Sequence, residues 1–171
     1  ALDRSAATSS ATLGLSRPIT PRLQFNLSAN FAVVDAIPAA GGAPAVPESE
    51  YGYFSTDLIA TSLFTEGDVG IVGLRYAQSD SADVYTVNLD ARFPIGRSWR
   101  INPRLRADYR EINSDQSTQW IYTPGIRIQY RIGRHGRVDL EAGKRFSSRD
   151  MADTSLDQES YFINLGYMLY Y

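Results

Sequence analysis

The sequence predicts an all-β chain of about nine antiparallel strands, and three observations support that prediction. Apolar and polar residues alternate over most of the 171 residues, which is the period of a strand and not of a helix. Turn signals rich in Gly, Pro, Asn and Asp separate the alternating segments. No linker or change of composition divides the chain, so residues 1–171 are interpreted as one domain.

The predicted strands follow one another closely along the chain. In order, they lie at about 9–16, 23–31, 53–64, 69–76, 85–93, 99–111, 120–132, 138–146 and 160–171. The sixth is the clearest, because its apolar residues share one parity and its arginines share the other. The third and fourth are less regular, since residues such as Asp57 and Ile59 occur on the same parity.

The connections between these strands are predicted to alternate in length. Short ones lie at 17–21, 65–68, 94–98 and 133–136, and longer or more polar ones lie at 35–50, 79–83, 113–118 and 147–159. This alternation is typical of barrels with short periplasmic turns and longer outer loops. An odd strand count leaves two alternatives, the C-terminal part of a larger barrel or a complete barrel of eight strands.

The composition excludes several classes of function. A net charge of −2 argues against a nucleic-acid partner. The absence of cysteine excludes disulfides, thiolate zinc sites and cysteine nucleophiles. The single histidine, His135, lies in a turn with two glycines and is expected to be solvated. We therefore predict no enzymatic activity and no cofactor.

Two features favour an apolar face that meets lipid. The polar parity is crowded with arginine, of which the chain has 16 against one lysine. Aromatic residues lie near the ends of the apolar parity, at Tyr85, Phe93, Trp99, Tyr109, Trp120, Tyr130, Tyr161 and Tyr171. Such girdles mark both lipid interfaces of membrane barrels. The fold predicted is an antiparallel transmembrane β-barrel, and the alternative is a soluble barrel or sandwich with its apolar face inward.

The C-terminal residues resemble an assembly signal. Asn164, Gly166, Leu169 and Tyr171 supply a polar residue, a glycine, a hydrophobe and a final aromatic at matching positions. In this short segment the chain resembles the outer-membrane β-barrel proteins of Gram-negative bacteria. The resemblance implies a location in the bacterial outer membrane, contact with its lipid and lipopolysaccharide, and binding by the barrel-assembly machinery. It also implies, as further partners, remaining barrel strands or an upstream periplasmic domain.

The charged residues on the inward parity are the candidate functional residues. They are Asp90, Arg92, Arg100, Arg104, Arg106, Asp108, Arg110, Arg127, Arg131, Asp139, Glu141 and Arg145. One interpretation is a water-filled lumen that favours anionic or polar cargo, and the arginine-rich face resembles that of barrels that export acidic polysaccharide. The other is an arginine–carboxylate ladder that fills a narrow barrel. That second barrel would be a plugged structural or adhesion protein acting through its outer loops.

Other charged residues are predicted to lie at the outer end or at the lipid interface. A cation site could be formed by acidic residues of the outer loops, namely Asp83, Asp115, Asp150, Asp153, Asp157 and Glu159. Solvated acidic loops are the preferred interpretation, so no metal site is predicted. Arg97 and Arg149 are expected to lie near lipid phosphates.

Overall fold

A computed structural model describes residues 6–39, 42–151 and 154–170, and this part of the chain is all-β. Nine antiparallel strands form one sheet, as the alternation predicted. The strands are β1 (Thr8–Thr20), β2 (Leu23–Val34), β3 (Ser49–Thr61), β4 (Val69–Ser79), β5 (Ala82–Ile95), β6 (Trp99–Ile112), β7 (Ser117–Ile132), β8 (Gly136–Met151) and β9 (Thr154–Leu169). No helix among these residues is long and apolar enough to cross a membrane.

The strands are hydrogen-bonded in their order along the chain. β1 pairs with β2 and β9 pairs with β8, and within the described residues β1 and β9 make no contact with each other. The sheet is therefore open, with β1 and β9 as its edges. We call the end with connections 21–22, 62–68, 96–98 and 133–135 the turn end, and the opposite end the loop end. β1 and β9 both run toward the turn end, so they are parallel to each other.

β1 is longer than predicted, because it continues through residues 17–20 to the turn end. Pro18 pairs in register with Gln24, and the register shifts between Pro18 and Thr20. Proline has no N–H to donate, but an edge strand tolerates this loss since one side of its backbone has no partner. The predicted turn at 17–21 is therefore wrong, and the connection consists of residues 21–22.

The predicted long loop at 147–159 is also wrong. β8 runs to Met151 and β9 begins at Thr154, with pairs such as Ser147–Gln158 and Arg149–Leu156 between them. Backbone hydrogen bonds extend the hairpin although neither parity is apolar here, so the alternation could not detect it. At the loop end, 80–81 and 113–116 are short and 35–48 is long. The predicted alternation of short turns and long loops is not present.

The connection between β3 and β4 is organised by the Asp68 side chain. Its carboxylate accepts hydrogen bonds from the backbone N–H groups of Leu63, Phe64 and Thr65 at 2.9, 2.8 and 2.7 Å. β3 consequently ends at Thr61, earlier than the apolar residues up to position 64 suggested. The bond from Thr65, with those from its neighbours, lowers the pKa of Asp68, although burial of the carboxylate opposes this effect.

Asp68→Asn is expected to destabilise the fold at neutral pH, because an amide keeps one acceptor and loses the charge. Since the folded-state pKa of Asp68 lies below its ordinary value, the stabilisation is complete above the ordinary value and disappears as pH falls through the folded one. The difference in urea midpoint between the variant and the unmodified protein should vanish over that acid range. Glu66→Gln, in the same turn, is the control and should show no such change. A pH-independent Asp68→Asn defect would contradict this role.

The two faces of the sheet differ in composition and in exposure. The polar face carries even-numbered residues 84–92 and 100–110 of β5 and β6, with odd-numbered residues 119–131 and 137–149 of β7 and β8. The apolar face carries the intervening residues. Among the described residues, Ala60 and Ile121 are the buried hydrophobic ones, whereas seven buried residues are polar or charged. The polar face thus holds most of the buried residues, and the apolar face leaves its large hydrophobic side chains exposed.

Candidate functional site: an arginine-rich sheet face

The polar face holds every charged residue that the alternation assigned to it. Register pairs such as Asp90–Arg104, Arg127–Glu141 and Val69–Arg92 place all twelve predicted residues on this one side of the sheet. Whether this side encloses a lumen depends on how the sheet is completed. Four more charged residues lie on the same face, at Asp57, Arg75, Arg137 and Arg149.

The alternation did not predict these four residues, for local reasons. Asp57 and Arg75 belong to the two irregular strands, and Arg137 immediately follows the glycine that begins β8. Arg149 does not lie in a loop, contrary to what the sequence predicted. It lies in β8 and donates to the Ser117 hydroxyl at 3.1 Å and to the Asp115 carboxylate. The bond from Ser117, and then the charge of Arg149, lowers the pKa of Asp115.

Ion pairs connect part of the polar face, some between strands and some between residues of one strand. Arg104 pairs with Glu141, and Arg106 Nε lies 2.9 Å from Asp108 Oδ1. Asp139 is shared, with its Oδ2 2.9 Å from Arg137 Nε and 3.6 Å from an Arg127 amino group. Gln129 donates to the other oxygen of Asp139 at 2.7 Å. These contacts are what an arginine–carboxylate ladder predicts, but they use only some of the arginines.

Positive charge is in excess on this face. Its described strands carry eleven arginines (residues 75, 92, 100, 104, 106, 110, 127, 131, 137, 145 and 149) and five carboxylates (57, 90, 108, 139 and 141). Six of the arginines have no ion pair with a described residue, namely Arg75, Arg92, Arg100, Arg110, Arg131 and Arg145. The guanidinium group remains charged at all relevant pH values. The face therefore attracts anions.

Small polar side chains form hydrogen bonds between neighbouring strands at the centre of the polar face. Ser28 and Ser55 hydroxyls lie 2.7 Å apart, and Thr86 donates to Asp108 at 2.6 Å. Asp108 is 3% exposed, and Ile121, its register partner on β7, is 2% exposed. A carboxyl group buried to this degree needs its bonds from Thr86 and Arg106. The orientation of Arg106 is thus determined by a buried group.

Phe162 is an aromatic residue on the polar face, where alternation predicts a polar one. Its ring covers Gly143, its register partner on β8. The Arg104 guanidinium lies 5.9 Å from the centre of this ring, a cation–π distance. Arg104 also passes over Gly125, where an added Cβ would lie 3.2 Å from its Nε. The two glycines therefore provide the space in which Arg104 and Phe162 meet.

The apolar face carries two rows of aromatic side chains. Near the loop end, ring centres are 4.9 Å apart for Tyr76 and Tyr85, 6.1 Å for Tyr85 and Tyr109, and 4.6 Å for Tyr109 and Trp120. Near the turn end, Trp99 and Tyr130 lie 4.5 Å apart, and Tyr167 belongs to the same row. Tyr161 differs from the prediction, because its register places it between the rows.

The predicted acidic loop residues are mostly strand residues. Asp83, Asp150, Asp157 and Glu159 lie in β5, β8 and β9, and Asp115 alone lies in a described loop. Asp153 lies outside the described residues. Within those residues no group of three or more His, Cys, Asp or Glu side chains could hold a metal ion.

The predicted assembly residues fall at the end of the last strand. Asn164 pairs in register with Glu141, Gly166 with Asp139, and Leu169 with Gly136. Tyr171 lies outside the described residues. Comparisons with protein-family models, curated proteins and solved structures find no match to this chain, so the functional argument rests on the geometry.

Proposed function

We propose that this sheet belongs to an antiparallel β-barrel of the bacterial outer membrane whose polar face lines a passive path for anionic or polar solutes. An acidic polysaccharide in export is one cargo of this kind. The proposal includes no enzymatic reaction. The apolar face would contact lipid and lipopolysaccharide, and β9 would be the strand that the barrel-assembly machinery binds.

The inverted burial of the two faces is the main support for a membrane location. Asp108 and Asp139 are 3% and 8% exposed, whereas Leu89, Leu105 and Leu140 are 38–44% exposed. A soluble sheet would bury the leucines, because apolar surface is the surface that water excludes. In a bilayer the same leucines are solvated by lipid.

The spacing of the aromatic rows supports the same location. Trp99 and Tyr109 of β6 are ten residues apart, as are Trp120 and Tyr130 of β7. Ten residues span about 34 Å along a strand. At the tilt of 35–45° common in membrane barrels, that length covers about 24–28 Å of membrane thickness, close to the usual apolar band of about 25 Å.

The open edges indicate how such a barrel would be completed. Tyr161, Ile163 and Leu165 of β9 are 73–77% exposed, far more than residues of the same face within the sheet, because one side lacks a neighbouring strand. In lipid, backbone groups at both edges must be hydrogen-bonded. Since β1 and β9 are parallel, a barrel that is antiparallel throughout contains an odd number of strands in addition to β1–β9.

A plugged structural barrel is the second candidate, and the ion pairs favour it. Arg104–Glu141 joins β6 to β8, Arg127–Asp139 joins β7 to β8, and Arg106–Asp108 lies within β6. In a narrow barrel such pairs would fill the interior. The six arginines without an ion pair among the described residues favour an open path, because a filled interior leaves buried charges uncompensated.

Planar-bilayer conductance of the refolded full-length protein tests the open path. We expect an anion-selective current, and we expect Arg104→Ser with Arg106→Ser to lower the anion-to-cation permeability ratio about twofold or more. Arg22→Ser, in an exposed turn, removes one arginine outside the polar face and should leave selectivity unchanged. A folded protein that carries no current would contradict the path and support the plugged barrel.

A further inference from the structure

Four arginines surround a cavity at the turn end of the polar face. Arg97 lies in the connection 96–98, Arg100 is the second residue of β6, and Arg131 and Arg137 lie on β7 and β8. With Tyr170 and the base residue Gln129, they line a cavity of about 110 Å³. Water occupies about 30 Å³ per molecule, so this space would hold about three or four waters or one oxyanion group.

The cavity has more positive charge than its carboxylates can neutralise. Arg131 and Arg137 are direct register partners, and like charges in that position destabilise a sheet. Asp139 is already bonded to Arg137, Arg127 and Gln129. Within the described residues, Arg97, Arg100 and Arg131 therefore have no ion pair.

Backbone hydrogen bonds join the segments that carry these arginines. The Arg131 N–H donates to the Ser98 carbonyl at 2.8 Å, which ties β7 to the turn that carries Arg97. The N–H of Tyr170 donates to the His135 carbonyl at 2.9 Å and closes another side. Gln129, which is buried, forms the base. These hydrogen bonds join the backbone segments on which the four arginines line one cavity.

We propose that this arginine cluster (Arg97, Arg100, Arg131 and Arg137) is a binding site for a single oxyanion group, a phosphate or a carboxylate. Guanidinium forks bind both groups through paired hydrogen bonds. The bound anion would neutralise the opposed pair of Arg131 and Arg137. Binding itself does not require a conducting path, but the role of the site as the mouth of a path rests on the proposed function.

Isothermal titration calorimetry of the full-length protein in a non-ionic detergent tests this site, with inorganic phosphate as the probe. We expect saturable binding that Arg131→Gln and Arg100→Gln each weaken about tenfold or more. Arg131→Lys, which keeps the charge but loses the fork, should give an intermediate affinity. Arg134→Gln, in the adjacent turn and outside the cavity, removes the same charge and should bind phosphate as the unmodified protein does.

The source of the oxyanion is distinguished by competition. Phosphatidylglycerol in the micelle should displace phosphate if lipid headgroups enter the site, and phosphatidylcholine should serve as the neutral comparison. Absence of saturable phosphate binding by the folded protein, or equal weakening by Arg134→Gln, would overturn the proposal. The calorimetric assay needs no ion gradient. Phosphate binding by a protein that carries no current would support the site and contradict the proposed path, and a current without phosphate binding would do the reverse.

Discussion

Leu89→Arg is expected to cost about 2–4 kcal/mol of folding stability in a bilayer. Leu89 lies on the apolar face, 41% exposed, in the row of Leu105 and Tyr161 between the two aromatic rows. An arginine there would enter the apolar band without a carboxylate on the same face beside it, unlike Lys144 of the same row, which pairs with Glu159 at 2.6 Å. The measurement is the denaturant midpoint of the protein refolded into phospholipid vesicles.

Asn88→Arg is the matched control, because Asn88 precedes Leu89 in β5 and its side chain lies on the polar face. Asn88 pairs with Gly73, the partner of Asp57, and Asp90 lies two residues further along β5. These carboxylates would offset the like charge of Arg106, the register partner of Asn88 on β6, so we expect a loss of about 1 kcal/mol, well below that of Leu89→Arg. Similar losses at both positions would refute the assignment of lipid to the apolar face. Leu165→Arg should cost less than Leu89→Arg, since Leu165 lies beside the turn-end aromatic row.

Gly143→Val is expected to destabilise the sheet by about 3 kcal/mol or more through overpacking. A Cβ at this position would lie 2.7 Å from both Phe162 Cε1 and the backbone carbonyl oxygen of Pro124. Phe162 can move only away from Arg104, and the backbone oxygen cannot yield without distorting β7. Urea unfolding and the electrophoretic shift of the folded form measure the effect.

Two further variants isolate this cause. Gly70→Val, in β4, is the matched control because nothing lies within 4 Å of an added Cβ there, and it should be tolerated. Adding Phe162→Ala to Gly143→Val should restore part of the stability, although the contact with the Pro124 oxygen remains. If Gly70→Val is as damaging as Gly143→Val, strand propensity and not the aromatic–glycine contact would explain the loss.

The sequence by itself predicted about nine strands, their antiparallel order and the face of each candidate residue. Successive side chains of a strand point to opposite sides, so the parity of Arg104, Arg106 and Asp108 assigned them to one face before any contact was known. The ends of the strands were predicted less well. Pro18 suggested a turn, but β1 continues through it because an edge strand tolerates proline. Ser147 suggested a loop, but backbone pairing between β8 and β9 continues beyond it. Neither effect can be read from the residue types.

The tertiary structure alone decided which side chains meet on the polar face. Register brings Arg131 opposite Arg137 and leaves Asp139 to serve three partners, although these residues were separately identifiable as charged. The contact of Phe162 with Arg104 could not be predicted, since it depends on the absence of a side chain at Gly143, the register partner of Phe162 on β8. Alternation is a property of each strand taken alone. Pairing, burial and the gathering of arginines into one cavity arise between strands, where residues far apart in the chain become neighbours.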